Sequence, residues 1–228
     1  MKFVLVGPGQ LGQLLLRAAG RDCLVIGRDA DRTRQVGEVY GCPWTTALSR
    51  ASVGDVIAVA VPAPALADVL DQIADCAKPG AIVLNFATAA GIAPAVRQRR
   101  PDVVWSEAKL VGSAVGMAHG LPCAIVLSEQ DPTLLRRVRD SLPGLADCVV
   151  LGNADQVPAI NRAATTAALR AVIDLERQLR QMGVDQTLID AALGGTVPGV
   201  ALSYQQGTLG GFARQIVREL TEPTKPTD

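Results

Sequence analysis

The sequence has no excess of either charge, only one histidine, no closely spaced cysteines and no long apolar run. Each absence excludes a class of function. Twenty-two basic residues balance twenty-two acidic ones, so no net field attracts a polyanion, and nucleic acid is not an expected partner. A lone histidine, His119, with no Cys/His cluster leaves no ligand set for a metal. Cys23, Cys42, Cys76, Cys123 and Cys148 are odd in number and show no CxxC spacing. Reduced, buried thiols in a cytoplasmic protein are therefore expected. No apolar run reaches membrane-spanning length, so no membrane partner is expected either. Residues 2–6 look like a strand, not the charged start of a secretory signal. No internal repeat is present. What the chain does have is 228 residues, 49% of them hydrophobic, enough for one substantial core with a helical extension.

The strand-like Lys-Phe-Val-Leu-Val at 2–6 runs into Gly7-Pro8-Gly9-Gln10-Leu11-Gly12, and an apolar, helix-forming stretch follows. A strand, a GxGxxG turn and a helix in this order form a dinucleotide-binding fingerprint. The first glycine allows the tight turn, the second lets backbone approach a pyrophosphate, and the third lets helix and strand pack closely. The helix N-terminus presents free N–H groups and a positive dipole end to the phosphates.

A second strand at 23–26 ends on Gly27-Arg28-Asp29, at the spacing where such a domain meets the adenosine ribose. An acid there would hold the 2′-hydroxyl of NAD, whereas an arginine accommodates a 2′-phosphate. Arg28, with Arg32 and Arg34 nearby, favours NADP. Asp29 is either the ribose-binding acid displaced by one residue or the cap of a helix starting near Ala30. The next strand, at 55–61, is apolar on both faces, as a central parallel strand should be. Its end at Val61 and Pro62 is expected to face the cofactor, as is Asn85 at the end of the strand at 81–85.

Helices are expected at 10–19, 65–77 and 131–142, the last capped by Ser128 or Asp131. Further strands are expected at 103–105, 123–127 and 148–151. Strands alternating with helices predict an α/β protein with a mostly parallel, Rossmann-type sheet. After Leu151 the pattern becomes helical: 157–182 as one long helix, then 184–193, 200–206 and 212–220, with a loop at 194–199. The expected division is a nucleotide-binding domain at 1–152, a helical dimerisation and substrate region at 153–220, and a disordered Pro- and Thr-rich tail at 221–228.

These motifs, in this order, resemble the 6-phosphogluconate dehydrogenase-like superfamily, and within it pyrroline-5-carboxylate reductases and the NADP oxidoreductases that use coenzyme F420. The resemblance implies a nicotinamide-dependent reductase whose C-terminal helices interlock in a homodimer. It also implies that Asn161, early in the long helix, faces the nicotinamide. The sequence departs from the family in three places. Pro158-Ala159-Ile160-Asn161 lacks the catalytic lysine of the hydroxyacid dehydrogenases. Trp105-Ser106-Glu107-Ala108-Lys109 stands where the proline-forming reductases carry Met-Pro-Asn. Gly152-Asn153-Ala154-Asp155 replaces their glycine-rich lead into the long helix.

Hydride transfer needs an electrophilic carbon beside the cofactor and a polarising or proton-donating group. Glu107 and Lys109, following the strand at 103–105, are the candidates; Lys109 would polarise a carbonyl or bind a carboxylate, or is an exposed loop lysine. His119, Thr165 and Tyr204 are weaker candidates. The expectation is an NADPH-dependent reductase of a C=N or C=O bond in a small molecule. Hydride exchange between NADP and a deazaflavin, and a non-catalytic NADP(H)-binding sensor or scaffold, are the alternatives.

Overall fold

Residues too apolar to face water on either side set the layout. In a computed structural model, which describes residues 1–20 and 22–221, the chain forms β1 (Phe3–Val6), β2 (Cys23–Ile26), β3 (Trp44–Thr45), β4 (Val56–Val59), β5 (Ile82–Asn85), β6 (Val104–Val111), β7 (Ala124–Leu127) and β8 (Val149–Leu151). β1, β2, β4 and β5 are buried along their whole length. The eight strands form one sheet in the order β3-β2-β1-β4-β5-β6-β7-β8. Every pairing is parallel except β6 with β7.

Six helices accompany the sheet: α1 (Gln10–Ala19), α2 (Ala30–Tyr40), α3 (Ala63–Cys76), α4 (Pro94–Arg99), α5 (Ala114–Ala118) and α6 (Pro132–Ser141). Alternate strand residues feed two cores, as the pleat requires. Phe3 and Leu5 pack with Leu15, Val36 and Leu134, from α1, α2 and α6. Val4 and Val6 pack with Leu66, Leu70 and Val96, from α3 and α4. Helices thus cover both faces, and the register sets Ile26, Val6, Val59, Asn85 and Glu107 side by side across the sheet.

Two expectations need correction. The strand expected at 103–105 runs on to Val111, because its second half pairs antiparallel with β7. Glu107 and Lys109 therefore lie within a strand, and no loop carries them. The expected loop at 194–199 is helical: a π-helical turn at Ala192–Thr196 leads directly into α9 (Val197–Gln205), after α8 (Gln186–Ala191). Pro198 follows directly on that π-helical turn, at the second position of α9. Asp131, not Ser128, caps α6, accepting from Thr133 N at 2.8 Å.

The chain divides into two compact units, Met1–Arg162 and Ala163–Asp228, and the boundary falls inside the 25-residue helix α7 (Val157–Gln181). Beyond it, α8, α9 and α10 (Gly211–Thr221) have little core of their own. Ile189 is the one buried hydrophobic among the described residues from 163 onward. The expected disordered tail lies outside the described residues apart from Thr221, which ends α10. No helix among the described residues is long and apolar enough to cross a membrane.

All five thiols are free. Burial pushes Cys23 up to about 12 and Cys123 up to about 11. The thiolate is the reactive form, so both are held as inert thiols at neutral pH. Titration with a thiol-specific chromogenic reagent should therefore give slow reaction at Cys23 in the folded chain, and five equivalents after denaturation. Rapid modification of Cys23 in the folded chain would contradict the packing described.

Candidate cofactor-binding site

The turn after β1 is built by what glycine leaves out. Gly7 adopts φ +103, and its N–H donates to Ile26 O at 2.9 Å, tying the turn to β2. A Cβ on Gly12 would sit 2.2 Å from the Gly7 carbonyl oxygen, so the third glycine is what lets α1 pack against the turn. Gly9 differs from both. A Cβ there would have no neighbour within 4 Å. It immediately precedes α1, and no side chain caps that helix. The first-turn N–H groups of a helix have no partner within the helix itself.

Gly9 opens onto a cleft of about 930 Å³. Its wall is formed by residues 7–11, by 27–29 with Arg32, by 60–65 after β4 and by 86–89 after β5. It therefore lies at the C-terminal ends of parallel strands, across the β1/β4 point where the strand order reverses. Ligands collect there in sheets of this kind.

Gly7, Pro8, Gly9, Gln10, Leu11, Arg28, Asp29, Arg32, Val61 and Pro62 are brought together around this one cleft. Gly12 packs behind the turn. Arg28 and Arg32 are exposed, and neither guanidinium makes a hydrogen bond or ion pair among the described residues, whereas Arg34 pairs with Asp31 at 3.2 Å. Asp29 does cap α2, accepting from Arg32 N at 2.9 Å, while also lining the cleft.

Other expected site residues are placed differently. Asn85 is fully buried behind the cleft wall, with its amide bonded to Ala90 O and Glu107 Oε2, each at 2.8 Å. Glu107 and Lys109, expected to reach a substrate from a loop, are 8% and 5% exposed and form an ion pair at 2.8 Å. The Asn161 side chain donates to Leu110 O at 2.8 Å, fastening the first turns of α7 to the end of β6. His119 is exposed at the end of α5, and Thr165 and Tyr204 are exposed on α7 and α9. Residues not anticipated include Thr33, Thr46, Leu48, Val69, Gln72 and those at 86–89. Asn-Phe-Ala-Thr at a strand's C-terminal end was the available signal for the last group; nothing local marked the others.

The layout is shared with solved structures of several reductases and dehydrogenases. No protein-family profile and no curated protein matches the sequence, but solved structures do. A pyrroline-5-carboxylate reductase from Coxiella burnetii aligns at TM-score 0.74 over 99% of this chain and 86% of that one, with 14% identity. A 3-hydroxyisobutyrate dehydrogenase from Salmonella typhimurium aligns at 0.68 over 99% and 90%, with 18% identity. An imine reductase from Myxococcus stipitatus, in complex with NADP+, aligns at 0.61 over 91% and 78%, with 15% identity. At these identities the likeness establishes the fold.

Proposed function

We propose that the chain is an NADPH-dependent oxidoreductase that reduces a C=N or C=O bond of a small molecule. The observation that carries this reading is the empty space at Gly9. The one turn glycine without a packing role faces a large cleft at an uncapped helix N-terminus, as approach of a pyrophosphate requires. Arg28 and Arg32 would hold the 2′-phosphate at the β2 end, Val61 and Pro62 would flank the dinucleotide, and residues 86–89 would wall its far end. The cofactor supplies the hydride; the chain binds it, orients it and shapes the space beside it.

Chemistry in the cleft favours C=N over C=O. The ionisable side chains lining it are Arg28, Asp29 and Arg32, all at the β2 end. A protonated imine accepts hydride without a further acid, whereas a carbonyl oxygen needs a proton as it becomes a hydroxyl. The same observation favours a second reading, a non-catalytic NADP(H) sensor, because Glu107, Lys109 and Asn161 are all committed to internal contacts. Calorimetry with NADPH and NADH, followed by turnover of NADPH with cyclic imines, carbonyl compounds and an oxidised deazaflavin, separates these cases. Tight NADPH binding with imine turnover is expected. Binding without any turnover would establish the sensor, and absence of binding would defeat both.

Assembly belongs to the same proposal. The second unit exposes Leu169, Ile173, Leu188, Phe212 and Leu220, with Phe212 and Leu220 at 81% and 80%. So much exposed apolar surface is unusual on a soluble monomer, and a twofold, self-complementary contact between copies would cover it. Glutamate at both Ala168 and Ala171 should shift light scattering from dimer to monomer, and turnover should fall with the dimer fraction. A native chain that scatters as a fully active monomer would defeat the dimer. Five free thiols suit a reducing, cytoplasmic setting.

A further inference from the structure

The wall of the cleft at 86–89 is held in an unusual way. Beyond Phe86, whose N–H donates to Val59 O at 2.9 Å, none of the described backbone–backbone hydrogen bonds involves residues 87–92. Three side chains hold this stretch instead. Asn85 accepts from Ala87 N at 2.9 Å and donates to Ala90 O at 2.8 Å. Glu107 accepts from Ile92 N at 2.6 Å. Lys109 donates to the carbonyls of Ala87 and Ala90.

The three also bind one another, Glu107 Oε2 meeting Asn85 Nδ2 and Lys109 Nζ, each at 2.8 Å. The set is closed: the lysine's three donors have three acceptors, and no buried side-chain nitrogen or oxygen among the described residues lacks a partner. Glu107 and Lys109 are two residues apart on β6, so one face of the strand presents both, and Asn85 sits opposite Glu107 in the register.

We infer that Asn85, Glu107 and Lys109 form a buried clamp whose role is to position the wall at 86–89 against the nicotinamide half of the cofactor. They are positioning residues, not catalytic ones. A buried ion pair is weak evidence for stability, since an apolar pair of similar volume often does as well. Apolar side chains, however, cannot bond the loop carbonyls and amides that these three side chains reach. The geometry is thus better suited to fixing a shape than to strengthening the core. The inference rests on the cofactor reading above.

Two probes separate the halves of the site: NADPH, and adenosine 2′,5′-bisphosphate, which carries only the adenosine end. In the full chain, Lys109→Met should weaken NADPH by about tenfold, because the wall at 86–89 is no longer held against the cofactor, and leave adenosine 2′,5′-bisphosphate unaffected. Hydrogen exchange should quicken at the amides of Ala87 and Ile92 while Val83 and Leu84 in β5 stay protected. Since a lone buried carboxylate can compromise folding, the double variant Glu107→Leu/Lys109→Met is the companion. It should keep a near-native melting temperature yet show the same fast loop exchange and weak NADPH binding. Native-like NADPH affinity and native exchange at Ala87 and Ile92 in that variant would overturn the clamp, as would equal weakening of both probes. A native chain that binds neither probe would overturn the cofactor reading instead. Exchange alone would then decide whether the clamp holds the loop, with unchanged rates counting against it.

Discussion

Valine at position 9 is expected to abolish nucleotide binding while leaving the fold intact. Gly9 has φ −76 and ψ −172, an extended conformation open to any L-residue, so a side chain adds no backbone strain. The Cβ would meet nothing of the protein within 4 Å; what it would meet is the pyrophosphate. Losing close backbone approach at a helix N-terminus should reduce NADPH affinity by roughly 100-fold or more, about 3 kcal/mol. Circular dichroism and melting temperature should stay native. Gly12→Ala should do the reverse. Its Cβ would lie 2.2 Å from the Gly7 carbonyl oxygen, so helix and turn must separate, with a stability loss of about 1–3 kcal/mol typical of overpacking. Full NADPH affinity in Gly9→Val would mean that the turn has a structural role only.

Arg28→Ala should convert the site from an NADPH binder to one with no preference. Arg28 is exposed at the end of β2 and lines the cleft, so its removal should leave stability almost untouched. A guanidinium on a 2′-phosphate is a charge-assisted contact of about 1.5–3 kcal/mol, or about 10- to 100-fold in affinity. Calorimetry should show that loss for NADPH and almost none for NADH. The competing reader is Asp29, whose Oδ1 is committed to capping α2. If native protein prefers NADH, or the variant loses both cofactors equally, Asp29 reads the ribose.

The first half of the chain was legible because its strands are buried on both faces and read as unbroken apolar runs. β1, its glycine turn and α1 lie where the pattern puts them, and so do β2 and the start of α2. Legibility failed where burial depends on a distant partner. Ser106-Glu107-Ala108-Lys109 breaks every apolar pattern, yet β6 passes straight through it. The charges are tolerated because they face each other and Asn85, with Glu107 and Asn85 22 residues apart. No local window carries that information. The two-residue β3 and six-residue α4 are shorter than any period needs to become visible. The bond from the Asn161 amide to the Leu110 carbonyl is a tertiary contact that residue type alone does not reveal.

β6 also constrains what the gene can tolerate. Within six residues it pairs Glu107 with Asn85 in register, aims Lys109 at the cleft loop, and offers the Leu110 carbonyl to the first turns of α7. Side chains alternate along a strand, so deleting one codon between Trp105 and Leu110 would turn every later side chain to the opposite face. A deletion of two would restore the faces but pull the helix attachment back by about 7 Å of strand rise. A change in the strand's length disturbs all three attachments at once, so β6 should keep a fixed residue count however far the sequence around it drifts.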